Sequence, residues 1–177
     1  RTPVEYHPNP GELAFADTRE TGPPALTLLP GFNVVFAGNL GTVQSLGTIL
    51  DTAELLADLP DVRFVLVGSG SRDEWLAAEV SRRRLVNVQL AGRFPPDAMP
   101  GILSQASALL VTLVRDPIMA QTIPSKVQAY LAAGKPILAA LDGEGAAVVR
   151  DAGAGMACDA EDSRGLADAM RRLRGMS

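Results

Sequence analysis

The sequence predicts an α/β fold of the doubly wound, Rossmann-like kind: a three-layer sandwich whose six-stranded parallel sheet carries helices on both faces. Three observations point to it. Short β-rich apolar runs alternate with segments of helical period from Asn33 to Arg174. The connections are short and punctuated by glycine, proline and asparagine. Parallel neighbours need crossover connections, so strict alternation of strand and helix specifies a parallel sheet covered on both sides.

Each element has its own signal. Asn33 to Ala37 is an apolar run closed by Gly38, and Val43 to Leu59 follows with Val43, Leu46, Ile49, Leu50, Ala53, Leu56 and Ala57 at helical spacing. Val62 to Val67 is a second strand, ended by Gly68-Ser69-Gly70 and followed by a helix with Asp73 and Glu74 in its first turn and an apolar face of Trp75, Leu76 and Val80. Val86 to Leu90 reads as the third strand, and Asp97 to Ala106 as a short helix after Pro95-Pro96. Leu109 to Val114 is a continuous buried-type run broken by Asp116-Pro117. After a loop, Thr122 is expected to cap a helix with Pro124 in its first turn, which stops at Gly134. Pro136 to Ala140 and Gly153 to Cys158 supply the last strands, with a short helix near Glu144 to Arg150 between them. A final helix starts at Ser163 and packs Leu166, Ala169, Met170 and Leu173.

If the strand order is 3-2-1-4-5-6, the winding reverses between strands 1 and 4 and opens a crevice at their carboxyl ends. Two loops border that crevice: Gly38-Asn39-Leu40-Gly41 after strand 1, and Arg115 to Ser125 after strand 4. The helix that follows leaves backbone N–H groups free in its first turn, with Lys126 and Arg115 close in sequence, so the site suits an anion. Several ligand classes are disfavoured. The glycine spacing is G-x-x-G and not G-x-G-x-x-G, and strand 2 ends in Val67-Gly68 where a dinucleotide site wants an acid. Gly134-Lys135-Pro136 follows a helix instead of opening one, which excludes a P-loop. Residues 38 to 42 contain no acidic cluster of the receiver-domain type.

Composition narrows the class further. Hydrophobic residues make up 47%, charged residues 20%, and the formal net charge is −4, a balance that does not suit a nucleic-acid partner. Arg82 to Arg84 and the arginines at 171, 172 and 174 sit late in expected helices, where cations complement the dipole. No apolar run approaches the roughly 20 residues needed to cross a bilayer, and no signal-peptide pattern opens the chain. The lone Cys158 cannot form an internal disulfide and fits a small buried residue in a reducing compartment. Residues 1 to 31 hold six of the thirteen prolines and read as a linker; His7, within it, lacks nearby partners for a metal or catalytic role.

Four blocks, F-A-G-N-L-G-T-V-Q-S-L at 36 to 46, F-V-L-V-G-S-G at 64 to 70, V-Q-L-A-G-R-F-P-P at 88 to 96 and I-P-S-K-V-Q-A-Y-L-A-A-G-K-P-I at 123 to 137, resemble the carboxyl-terminal half of bacterial family 4 glycosyltransferases. The resemblance covers residues 32 to 174 and implies one of the two Rossmann-like domains of a GT-B enzyme, the one that binds the nucleotide-sugar donor. Residues 1 to 31 would then join residues 32 to 177 to an amino-terminal acceptor domain absent from this chain. It also implies a retaining, metal-independent hexosyltransferase without a resident cofactor. The donor would be a UDP-sugar and the acceptor a saccharide or lipid-linked saccharide, in cell-surface polysaccharide assembly, in the cytoplasm or at the inner membrane face through the missing domain.

Position by position, the resemblance sets Gly38, Asn39, Leu40 and Gly41 beside the phosphates, Gly92, Arg93 and Phe94 facing the base, and Ile123, Pro124, Ser125 and Lys126 around the diphosphate. Lys126 would stabilise the leaving group. The paired glutamates of the family fall on Gln121, which as a neutral amide can still reach the donor sugar, and on Ala129, which cannot hold ribose hydroxyls. Asn39 and uncharged neighbours replace an arginine and lysine common after strand 1, a loss that Arg115 and Lys126 would offset. Two other readings fit the residues: a non-catalytic nucleotide- or sugar-binding module, and a sugar-nucleotide epimerase of the same architecture.

Overall fold

The computed structural model describes residues 25–176. In chain order the elements are β1 (Phe32–Ala37), α1 (Leu46–Leu55), β2 (Val62–Val67), α2 (Asp73–Arg83), β3 (Val88–Gly92), α3 (Met99–Ser104), β4 (Ala108–Thr112), α4 (Pro117–Ala120), α5 (Ser125–Ala133), β5 (Ile137–Ala140), α6 (Gly143–Asp151), β6 (Gly155–Cys158) and α7 (Ser163–Arg174). The six strands form one all-parallel sheet in the order β3-β2-β1-β4-β5-β6, the expected doubly wound arrangement. Among the described residues, no helix is long and apolar enough to cross a membrane.

Strand alternation builds two cores. Val34 and Phe36 of β1 and Leu110 of β4 face a cluster shared with Leu46, Ile49 and Leu50 of α1, Leu76 of α2 and Leu166 and Met170 of α7. Val35, Leu109 and Val111 point the other way, against Ile102 and Leu103 of α3, Val127 and Tyr130 of α5 and Val149 of α6. The period-2 pleat thus sends one run of apolar residues to both faces, which is why the inner strands read as continuous apolar stretches. At about 25 cal/mol per Å² of apolar surface, this double burial is the main stabilising term.

The sheet opens where the winding reverses. β1 pairs with β2 along all of its length, from Phe32 with Val62 to Ala37 with Val67. Its pairing with β4 is confined to Val34 with Ala108 and Val35 with Leu109. Beyond those pairs, the carboxyl ends of β1 and β4 frame the crevice.

Several local expectations change. The first helical stretch divides into a 3-10 turn at Thr42–Gln44, a left-handed Ser45 and α1. The third strand starts two residues later than its apolar run suggests, because Val86 stands 98% exposed before the sheet begins. Residues 117–120, expected as loop, form α4: Asp116 caps it by accepting from the Ile118 and Met119 N–H groups, and Pro117 occupies the first helical position. Thr122 does not cap α5; its hydroxyl donates to the Ile118 carbonyl at 2.9 Å, and Pro124 takes the cap position. The expected linker lies mostly outside the described residues, as does His7. Its described end is held in place: Gln105 donates to the Leu26 carbonyl and accepts from the Leu28 N–H, at 2.8 and 3.1 Å, and both leucines pack on the second core.

Candidate functional site

A cavity of about 990 Å³ lies at the carboxyl ends of β1 and β2, under the start of α5. Its walls follow from three local features. Gly38 and Gly68 end β1 and β2 with φ of +140° and +139°, a region that L side chains rarely adopt. A Cβ at Gly68 would overlap the Gly38 carbonyl, so two glycines let the loops cross without a side chain between them. Next, Tyr130 is the largest fully buried side chain, and its hydroxyl accepts from the Ala37 N–H at 2.9 Å and donates to the Ala37 carbonyl at 3.3 Å. One hydroxyl therefore fastens α5 to the end of β1; burial pushes its pKa up. Finally, Lys126 lies one helical turn before Tyr130, so the face that buries the tyrosine carries the lysine into the cleft.

Lys126 is the centre of the site. Its Nζ donates to Gln44 Oε1 at 3.0 Å and lies 3.7 Å from the centroid of the Phe36 ring. Burial lowers its pKa from 10.5 to about 7. Its amine thus ends above the ring of a core phenylalanine. Among the described residues, no aspartate or glutamate lines the cavity, while Lys126 and Arg93 do, so its field favours an anion. Among the described residues, no group of three or more histidine, cysteine or acidic side chains is arranged to hold a metal ion.

This crevice belongs to a known class of domain. The family model for Glycosyl transferases group 1 matches residues 31–175. The chain belongs to that family. WcaI of Escherichia coli (strain K12), assigned by name to colanic acid biosynthesis as a glycosyl transferase, is 32% identical over 101 residues, covering 57% of this chain and 24% of WcaI. Anabaena HepE, solved in complex with UDP-glucose, superposes with a TM-score of 0.67 at 21% identity over 80% of this chain and 38% of HepE. The C-terminal domain of LpcC, a group 1 family protein from Francisella tularensis, superposes with a TM-score of 0.63 at 16% identity over 82% of this chain and 80% of that domain. The group 1 domain described here thus spans about a quarter of WcaI and well under half of HepE.

Within this group 1 domain, the residues singled out from sequence divide into two sets. Gly38, Asn39, Arg93, Phe94, Ser125 and Lys126 line the cavity together, and so does Ala129. The others stand outside the lining. Leu40 is 4% exposed and packs in the first core, although its backbone N–H donates to the Ser69 carbonyl beside the cavity. Gly41 precedes the 3-10 turn, and Gly92 uses φ +77° to end β3, where its carbonyl accepts from the Gly68 N–H. Ile123 packs on the second core and Pro124 caps α5. Arg115 corrects an expectation: its guanidinium donates to the Ala160 carbonyl at 2.8 Å, near the start of α7, and does not join Lys126. Gln121 is exposed at the carboxyl end of α4, also outside the lining.

Sequence reasoning missed Gln44, Ser69, Gly70, Met99, Leu103, Gln128 and Tyr130, all of which line the cavity. Two had readable signals. Gln44 lies inside the first sequence block, and Tyr130 follows Lys126 at i+4 on a short helix, a spacing that puts both on one face.

Proposed function

We propose that this group 1 domain binds the nucleoside diphosphate of a UDP-sugar and serves as the donor half of a retaining hexosyltransferase in cell-surface polysaccharide assembly. One observation carries the reading. Among the described residues, Lys126 enters the cavity with no carboxylate beside it, at the amino end of a nine-residue helix whose first turn has no side-chain cap, so a ligand anion is the counter-charge this arrangement lacks. Phe94, Pro96, Met99 and Leu103 give the same cavity an apolar end suited to a nucleobase. HepE, of the same fold, was solved with UDP-glucose, which supports the choice of UDP.

The chemistry in this reading is positioning. As the glycosidic bond breaks, negative charge grows on the departing diphosphate, and Lys126 with the α5 N–H groups would meet it without rearranging. The acceptor, a saccharide or lipid-linked saccharide, would come from an upstream lobe that also sets any association with the inner membrane face. No metal or resident cofactor enters the scheme. A binding module without transfer is the second reading, favoured because no acid among the described residues lines the cavity and Gln121 stands outside it.

Calorimetric titration with UDP-, GDP- and ADP-sugars tests the assignment. Saturable binding is expected, tightest for the UDP series. Preference for another base would overturn the donor assignment, and absence of binding would overturn the site. Sugar transfer by these 177 residues alone would show that no upstream lobe is needed.

A further inference from the structure

Residues 26–30 run into β1 as a strap that three side chains hold. Gln105 is the first: its Nε2 donates to the Leu26 carbonyl at 2.8 Å and to the Gly101 carbonyl at 2.9 Å, and its Oε1 accepts from the Leu28 N–H at 3.1 Å. Both amide protons are used, and only one orientation of the group can serve two carbonyls and an N–H. Further along, Asn33 Nδ2 donates to the Leu29 carbonyl at 2.7 Å, and the Arg63 guanidinium donates to the Pro30 carbonyl.

Gln105 directly follows α3 and bonds back to Gly101 within it, so it ties the strap to that helix. α3 in turn carries Met99 and Leu103, which with Phe94 and Pro96 form the apolar end of the cavity. Leu26, Leu28, Phe94 and Met99 all pack on one core cluster, to which Ile102 and Leu103 belong. The opposite wall is fixed differently, by the Tyr130 hydroxyl that fastens α5 to β1. A helix of six residues holds its place by tertiary contacts, and the strap supplies some of those of α3.

We propose that Gln105 is a positioning residue for the nucleobase: it clamps the strap at Leu26 and Leu28 to the end of α3, and the helix so held sets the wall against which the base lies. This rests on the donor-site reading above. Gln105 itself is not part of the lining, so it acts through α3 and not on the ligand. Coupling of this kind is mutual. If release of the strap from Gln105 lowers the affinity for UDP by some factor, saturation with UDP must suppress that release by the same factor. A clamp that served only folding would leave the two unlinked.

The test is amide hydrogen exchange of the 177-residue chain, followed by NMR with and without saturating UDP. The Leu28 N–H reports on the clamp, because Gln105 is its acceptor. UDP should slow its exchange about threefold to tenfold, the scale of one net hydrogen bond. The Gly175 N–H, bonded to the Arg171 carbonyl at the end of α7, should exchange at an unchanged rate. In calorimetric titration, Gln105→Ala should weaken UDP by a factor similar to the slowing at Leu28. Leu28→Ala should act in the same direction, and the double variant should lose little beyond the worse single one, because both release one contact. If UDP binds but leaves Leu28 exchange unchanged, if Gln105→Ala binds UDP as wild type does, or if the two losses simply add, the inference fails while the donor site stands. If UDP does not bind at all, both fail.

Discussion

Between α1 and α2, Arg83 donates to Glu79 at 2.9 Å and contacts Asp51 and, at 3.5 Å, Glu54, whereas Lys126 in the crevice meets an amide oxygen and a ring and, among the described residues, no carboxylate. The two cations answer to different demands. Arg82 and Arg83 together hold the Glu79 carboxyl near 2, and the carboxylates in return raise the Arg83 pKa, so this charge is already matched. Arg174 is matched likewise, by two bonds to Asp61 at 2.8 and 2.9 Å. Lys126 is pushed the opposite way by burial. A cation enclosed by carboxylates helps to fix local structure, while one enclosed by neutral groups is poised for an external anion.

The largest effect that would break this contrast comes from backbone and not charge. Gly68→Ala forces a methyl into the Gly38 carbonyl at φ +139°. Strain and overlap together should destabilise the domain by about 3 kcal/mol or more, read by urea denaturation. A loss below about 1 kcal/mol would mean that the crossing of the two loops relaxes easily.

Lys126→Met comes next, and it separates binding from stability. UDP affinity should fall roughly tenfold to over a hundredfold, as expected for one charge-assisted hydrogen bond. Stability should move the other way. The folded-state lysine titrates near 7 and an unfolded one near 10.5, so between those values the unfolded chain binds more protons and wild-type stability rises with pH. Below about 7 the full penalty of burying the charge is present. Methionine removes it: Lys126→Met should melt higher than wild type at pH 6, with the gain shrinking toward pH 10. A lower melting temperature at pH 6 would show that the lysine is held by something other than neutral partners.

Much of this architecture was legible beforehand. Alternating periods identify six parallel strands, the order supposed for them on the common doubly wound pattern is the one observed, and Val62 to Val67 matches β2 residue for residue. The crevice follows from that order. Side-chain direction was not legible: nothing in the sequence shows that Arg115 turns toward Ala160, or that Lys126 lies over Phe36, because each depends on contacts with distant parts of the chain. α4 was missed for another reason. Asp116-Pro117 is both a strand breaker and a helix start, and only the capping geometry separates the two.

Tyr130→Phe sharpens the comparison at smaller magnitude. It removes the hydroxyl that serves both the N–H and the carbonyl of Ala37 while preserving the ring. Buried polar groups left without partners cost about 1 to 3 kcal/mol, so destabilisation in that range is expected, with UDP weakened severalfold as α5 loosens from β1. Unchanged affinity alongside the stability loss would show that the helix keeps its place without the hydroxyl.

The smallest effect should come from Arg174→Ala, and its smallness is the point. The ion pair with Asp61 is well formed, yet both side chains are about two-fifths exposed, at 39% and 40%. Water already solvates these charges, and holding two long side chains in one geometry uses entropy that offsets much of the attraction. Salt should erase what remains, because the Debye length falls well below 10 Å at about 0.5 M. The expected melting shift is therefore below about 3 °C at low salt and near zero at high salt. UDP affinity should not change, since neither Arg174 nor Asp61 lines the cavity. If Arg174→Ala weakened UDP as much as Lys126→Met, binding would depend on the net charge of the whole domain, and the distinction between matched and unmatched cations would collapse.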